Sequence, residues 1–236
     1  MYSFDSKIRY SECDSEARLS IMSLLDYFQD CSVFHSEVCT AGVDFLKEKK
    51  HAWVLSSWQI IFNRMPKLME EVTISTWPYE MRGFYGYRNF TMKDSNGELL
   101  AYASSIWVFL DMETGRPARI PEELANKYEY EAPLEMEAGE RKIKIPTDYQ
   151  EQESLTVPSY FIDTNQHMNN SKYVQVAMKY VPKDFKIGQL RVEYKKAAVE
   201  GDTLIPRVTV ESECITVALV AEDGKAFAIV KFFAKM

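Results

Sequence analysis

Histidine is scarce in this chain: three occur in 236 residues, His35, His51 and His167, and none forms an H-x-x-x-H or similar pair. No group of cysteines or carboxylates has ligand spacing either, so no catalytic metal is expected. The four cysteines, Cys13, Cys31, Cys39 and Cys214, include no C-x-x-C pair. That usage fits reduced thiols in a cytosol rather than a disulfide framework. There is no G-x-S-x-G, which argues against an α/β-hydrolase nucleophile elbow. Gly83 and Gly86 in RGFYGYRNF lack the strand-to-helix context of a phosphate loop, and are expected at a turn or bulge. No apolar run approaches the ~18 residues of a membrane span. The N-terminal stretch MYSFDSKIRYSECDSE has no apolar h-region, so no secretion signal is expected and the chain is assigned to the cytoplasm. In that compartment the sequon Asn169-Asn170-Ser171 is a coincidence. A basic balance is missing too: the net charge of −7 argues against a general nucleic-acid binder. An acidic partner docking on a local basic patch stays open.

What is present points to a folded chain. Apolar types make up 46% and charged types 27%, which is not the composition of a disordered segment. The length suits one large α/β domain or two small ones. An internal repeat decides for two. Asp14-Ser-Glu16-Ala-Arg18-Leu-Ser20 aligns without a gap on Asp163-Thr-Asn165-Gln-His167-Met-Asn169. Each segment runs into an apolar stripe of helical spacing: Ile21, Leu24, Leu25, Phe28 and Cys31 in the first, Tyr173, Val176, Ala177, Tyr180 and Val181 in the second. Further on, WQIIFNR at 58–64 parallels LRVEYKK at 190–196. Both lead through an acidic turn to β-rich stretches, VTISTWPYE and TLIPRVTVESE. Hairpin signals follow at Asp94-Ser-Asn96-Gly97 and Glu222-Asp223-Gly224, then final strands ASSIWVFLD and FAIVKFFAK. Each copy therefore reads as a loop, one long helix and several antiparallel strands, an α+β layer. The expected boundaries are an N-terminal domain at 1–130, a charged linker at Glu131–Glu153 holding Pro133 and Pro146, and a C-terminal domain at 154–236.

The segment DTNQHMNN holds the candidate chemistry. Asp163, Asn165 and His167 alternate, so an extended backbone would point all three to one face. Asn169 or Asn170 stands where a helix N-cap is expected, and the helix end would offer free N–H groups and a positive dipole to an oxyanion. A lone histidine is more often structural, and Asn-rich turns are common caps without chemistry. The first copy moves the balance, because it keeps Asp14 and the helix but has Glu16 for Asn165 and Arg18 for His167. That is the pattern of a duplicated scaffold with chemistry in one copy.

The D-x-N-x-H-x-N-N segment followed by Lys172-Tyr173 resembles the acyl-acyl-carrier-protein thioesterases, in the bacterial branch without a transit peptide. The resemblance extends through WVLSSWQIIFNRMPKLMEEVTISTWP and RGFYGYRNF to nearly the whole chain. It implies two hot-dog domains in tandem, each a long helix in a curled antiparallel sheet, with the active site in the second. It also implies hydrolysis of fatty acyl thioesters on the phosphopantetheine arm of an acyl carrier protein. The family's catalytic Asp, Asn and His fall on Asp163, Asn165 and His167. His167 would act as general base or orienting group, Asn165 would position water or the carbonyl, and Asp163 would orient His167 or attack the carbonyl itself. No cofactor is implied, because a thioester is already activated. One departure stands out. Many plant relatives carry Glu-Cys after Y-[KR]-[KR], whereas Tyr194-Lys195-Lys196 is followed here by Ala197-Ala198, with Glu200 at the wrong offset. Asp163 and His167 must then suffice, or Glu16 or Glu193 must contribute.

The carrier is strongly acidic, so its docking face should be basic. Lys172, Lys179, Lys183, Lys186, Arg191, Lys195 and Lys196 face only Asp184 and Glu193 in that stretch, although a charge run is usually just a solvated surface. The first half offers Met22, Leu25, Trp53, Trp58 and Met65 to an acyl chain, all of them equally suited to a core. A homodimer stays open, and no nucleic acid or membrane partner is expected. The competing readings are an acyl-CoA thioesterase of the same class and a non-catalytic acyl-binding module. A hot-dog dehydratase is disfavoured, because its His/Glu or His/Asp arrangement is not evident.

Overall fold

Alternating side chains set the first strand of this computed structural model. In β1 (Tyr2–Lys7) burial alternates residue by residue, and the strand lies antiparallel to β3 (Glu71–Arg82) with Phe4 opposite Ile74. The structure describes residues 1–137, 139 and 142–235. They fall into two units, Met1–Ser56 with Phe62–Glu137, and Ser57–Ile61 with the described residues after Glu137.

In the first unit the strand order is β1-β3-β4-β5-β2, with β2 at His51–Phe62, β4 at Tyr85–Asp94 and β5 at Leu99–Asp111. The short β6 (Arg116–Pro117) pairs with the end of β5. Helix α1 (Ile21–Val38) packs on β3, burying Leu24, Leu25, Tyr27, Phe28, Cys31, Ser32 and His35 on one face. Phe28 is fully buried 5.2 Å from the ring of Phe90, a burial that contributes about 1.5–3 kcal/mol. A second apolar group gathers Ala41, Phe109, Ile120, Leu124 and Tyr128 under α2 (Val43–Glu48) and α3 (Glu122–Ala125).

The second unit repeats the plan with β9 (Ile187–Tyr194), β12 (Ala226–Ala234), β11 (Cys214–Val220) and β10 (Thr203–Val210), in the order β9-β12-β11-β10. Two-residue strands β7 (Gln150–Glu151) and β8 (Leu155–Thr156) pair with β10. Ser57–Ile61 of β2 group here and pair with β9, Trp58 opposite Val192. All pairings are antiparallel. Helix α4 covers only Asn170–Met178, half the length of α1, and buries Ser171, Tyr173, Val174, Val176 and Ala177. Tyr180 and Val181, expected on its stripe, lie beyond its end. Pro182 accounts for the early stop, since a residue before proline is disfavoured in helical conformation.

Both expected hairpins form. Asp94 Oδ1 accepts the N–H groups of Asn96 and Glu98, and Gly97 and Gly224 supply the positive φ of 83° and 79° that their turns need. Gly83, with φ 66°, makes the β3–β4 turn, and Gly86 lies under the Trp53 ring, where a Cβ would meet it at 3.0 Å. All four cysteines are free thiols. The charged stretch Glu131–Glu153 is no bare tether. Its first part is held by Trp77 Nε1 donating to the Ala132 carbonyl (2.9 Å) and by Leu134 N–H donating to Asn89 Oδ1 (2.9 Å). Its later part is held by Ile143 N–H donating to Glu193 Oε2 (2.8 Å), by Thr209 Oγ1 donating to the Asp148 carbonyl (2.7 Å), and by β7. Ala138, Glu140 and Arg141 of this stretch lie outside the described residues.

Candidate active site

The segment carrying Asp163, Asn165 and His167 is a closed turn, not the extended run expected from its alternation. A one-turn helix, Ser159–Phe161, leads into a bridge between Ile162 and Met168. Between them Asp163 N–H donates to the His167 carbonyl (2.8 Å) and Gln166 N–H to the Asp163 carbonyl (3.0 Å). The carboxylate closes the turn: Asp163 Oδ1 accepts from Asn165 N–H (2.8 Å) and His167 N–H (3.4 Å). An aspartate that bonds the backbone two residues on favours this turn over a strand. Gln166 takes the left-handed conformation at φ 62° to complete it.

The first copy makes the same turn bond for bond. Asp14 N–H donates to the Arg18 carbonyl (2.7 Å), Ala17 N–H to the Asp14 carbonyl (3.1 Å), and Asp14 Oδ1 accepts from Glu16 N–H (2.9 Å) and Arg18 N–H (3.0 Å). Ala17 is left-handed at φ 57°, matching Gln166, and Cys13 bridges Leu19. The likeness continues downstream. Asn63 and Arg64 N–H both donate to the Leu100 carbonyl, as Lys195 and Lys196 do to that of Phe227. Lys67 N–H donates to Glu70 Oε2 and Val199 N–H to Asp202 Oδ2, both at 2.9 Å. The frame read from the sequence is thus a structural duplication.

The side chains differ. Asn165 is exposed and His167 half-buried, and neither the His167 ring nor the Asn165 amide has a hydrogen-bond partner among the described residues. In the first copy Arg18 leans on Glu16, 3.8 Å away on the surface. The N-cap falls on Asn169, whose Oδ1 accepts from Ser171 N–H at 2.9 Å and from its hydroxyl at 3.0 Å. Of the spare carboxylates, Glu193 is committed elsewhere: Oε1 takes Lys195 Nζ (2.7 Å) and Oε2 takes Ile143 N–H (2.8 Å). Sequence reasoning gave no positioning role to Tyr173 and Ala198, which the structure puts beneath the turn. Met168 N–H donates to the Ala198 carbonyl (2.8 Å), and Ala198 N–H donates to the phenol of buried Tyr173 (2.8 Å). Burial pushes that phenol up to about 12, so it stays neutral.

Family models now fit what the geometry displays. The acyl-ACP thioesterase N-terminal domain matches residues 1–128 and the C-terminal domain matches residues 127–228. The chain belongs to the acyl-ACP thioesterase family. Within that family, the chloroplastic palmitoyl-acyl carrier protein thioesterase of Cuphea hookeriana is 26% identical over 206 residues, covering 80% of this chain and 50% of that protein. The Arabidopsis thaliana protein of the same name is 26% identical over 227 residues, covering 88% of this chain and 54% of that protein. The chain spans about half the length of these curated relatives. A solved acyl-ACP thioesterase from Bacteroides thetaiotaomicron superposes with a TM-score of 0.90 at 23% identity, covering 99% of this chain and 97% of that one. The 12:0-ACP thioesterase from Umbellularia californica gives 0.86 at 21% identity, covering 99% and 96%. The fold is the tandem hot-dog, α+β in each half. No helix among the described residues is long and apolar enough to cross a membrane.

Proposed function

We propose that the chain hydrolyses the thioester between a fatty acyl group and the phosphopantetheine arm of an acyl carrier protein, releasing free fatty acid in fatty acid biosynthesis in the cytoplasm. One observation carries the reading. A turn built twice with the same hydrogen bonds holds Asn165 and His167 in one copy where the other has Glu16 and Arg18, in a chain of this family. The names of the relatives, palmitoyl- and dodecanoyl-carrier hydrolases among them, support the substrate class.

In this reading the C-terminal half does the chemistry. A water oxygen attacks the carbonyl carbon while His167 takes its proton. The carbon–sulfur bond breaks, and the leaving thiolate receives a proton back from His167. Asn165 positions the water or the carbonyl. The positive end of α4 favours the oxyanion. Asp163 holds His167 through the main chain, its Oδ1 accepting the N–H groups of Asn165 and His167, while Oδ2 leaves attack on the carbonyl as its alternative role. The N-terminal half receives the acyl chain. Trp53 is spent on Gly86 and Phe109, and Leu25 and Trp58 are buried, which leaves half-buried Met22 and Met65 as its candidate contacts. Lys179, Lys183, Lys186 and Lys196 are exposed and suit an acidic carrier, whereas Lys195 is neutralised by Glu193.

The test is thiol release from octanoyl- and palmitoyl-carrier protein. His167→Ala is expected to lose at least ~10²-fold, the scale of a removed general base. A folded His167→Ala protein with full activity would overturn the site. Equal efficiency on octanoyl-carrier and octanoyl-CoA would overturn the carrier preference. Light scattering tests the homodimer, which requires twice the mass of one chain.

A further inference from the structure

We propose that Tyr173 is the positioning residue of the candidate site, tying helix α4 through Ala198 to the turn that carries His167; this rests on the reading of the site given above. The tie is a relay of two hydrogen bonds. Tyr173 Oη accepts Ala198 N–H at 2.8 Å, and the Ala198 carbonyl accepts Met168 N–H at 2.8 Å, one residue from His167. Tyr173 is 2% exposed and Ala198 fully buried, so neither bond has water as an alternative. Tyr194 braces the phenol edge-to-face at 5.6 Å while its own Oη donates to the Asn170 carbonyl (3.0 Å) at the start of α4.

The other half shows that the fold does not require this device. By the same ungapped frames, Tyr173 matches Leu24, Ala198 matches Pro66 and Tyr194 matches Phe62. Leu19 N–H donates to the Pro66 carbonyl at 2.8 Å, the equivalent of the bond from Met168 to Ala198. Proline has no N–H, so nothing beneath that turn needs an acceptor, and fully buried Leu24 fills the place. A donor and two phenols appear only in the half with His167. The phenol is neutral across the working range, burial holding it at about 12, so it serves as a fixed dipole and not as an acid or base.

Tyr173→Phe removes one oxygen and orphans the Ala198 N–H. It is expected to lower kcat at least ~10-fold with KM changed less than about twofold, the scale of an unpaired buried donor expressed at the turn. The His167 ring resonances should shift, and the Ala198 and Met168 amides should exchange faster. The double variant Tyr173→Phe with Ala198→Pro installs the first half's solution, removing the donor with its acceptor, and should recover most of the lost kcat. Full kcat in Tyr173→Phe, or a lowered melting temperature with kcat unchanged at 20 °C, overturns the proposal. So does a double variant that is no better than the single one, or that fails to fold. The ring and amide signals read the tie even if His167→Ala proves fully active, so failure of the site assignment and failure of the tie are told apart.

Discussion

The turns Asp14–Leu19 and Asp163–Met168 share their backbone bonds, their aspartate and their left-handed fourth residue, yet only one carries an imidazole. Their difference separates two jobs that a conserved-looking motif would merge. The aspartate is a folding residue in both halves, since Oδ1 closes the turn whether or not any chemistry follows. Asn165 and His167 contribute nothing to the turn through their side chains. What they replace, Glu16 and Arg18, makes only a 3.8 Å surface ion pair, worth little.

The sharpest test of that division sets His167→Ala beside Arg18→Ala. Thioester hydrolysis should fall at least ~10²-fold in the first and less than about twofold in the second, with similar thermal stability in both. Next come Asp14→Asn and Asp163→Asn. An amide oxygen can still accept both N–H groups, so each variant should fold with a loss of no more than about 1 kcal/mol. Only Asp163→Asn should slow turnover, by roughly 10²-fold if its charge orients His167. Equal activity in the two would reduce Asp163 to a turn former.

A smaller effect sharpens the comparison from the first half, where a polar cluster has no role in the proposed chemistry. Arg88, 7% exposed, donates to His35 Nδ1 at 2.8 Å and approaches the Tyr128 ring. Burial, then the Arg88 guanidinium, then the N-terminal amine lower His35 from 6.5 to about 4. The folded protein therefore keeps His35 neutral where the unfolded chain protonates it. Its contribution is present above pH 6.5 and is lost as pH falls toward 4, up to about 3 kcal/mol. His35→Gln keeps an acceptor for Arg88 and should flatten the pH dependence of urea denaturation over that window; an unchanged slope would contradict it. The smallest effects belong to Ala17→Gly and Gln166→Gly. Relief of the left-handed strain offsets the freer unfolded chain, so each melting curve should correspond to within about 0.5 kcal/mol of the parent.

Much of this was legible in the residues. The ungapped Asp14 and Asp163 frames, the cap at Asn169 and the hairpins at Gly97 and Gly224 rest on local preferences that do not depend on distant packing. Three features were not. The alternation of Asp163, Asn165 and His167 suggested an extended strand, but an aspartate bonding the backbone ahead of it outcompetes a strand that has no partner. The apolar stripe continued to Val181 while Pro182 ended the helix earlier, because backbone sterics outrank periodicity. The tie from Tyr173 to Ala198 joins residues 25 apart in sequence. It could have been suspected only by noticing that a tyrosine and an alanine stand where the first copy has leucine and proline.

The left-handed turn with its closing aspartate has an evolutionary consequence. Since the turn asks only for the aspartate and a tolerated positive φ, the side chains at positions 165 and 167, like those at 16 and 18, can change after a duplication at little cost to the turn. In the proposed reading, chemistry at such a turn is an interchangeable insert. Moving it to the other copy would take more than Glu16→Asn and Arg18→His, because the footing supplied by Tyr173 and Ala198 would have to travel with it, as Leu24→Tyr and Pro66→Ala. On that proposal the transfer needs four coordinated changes rather than two.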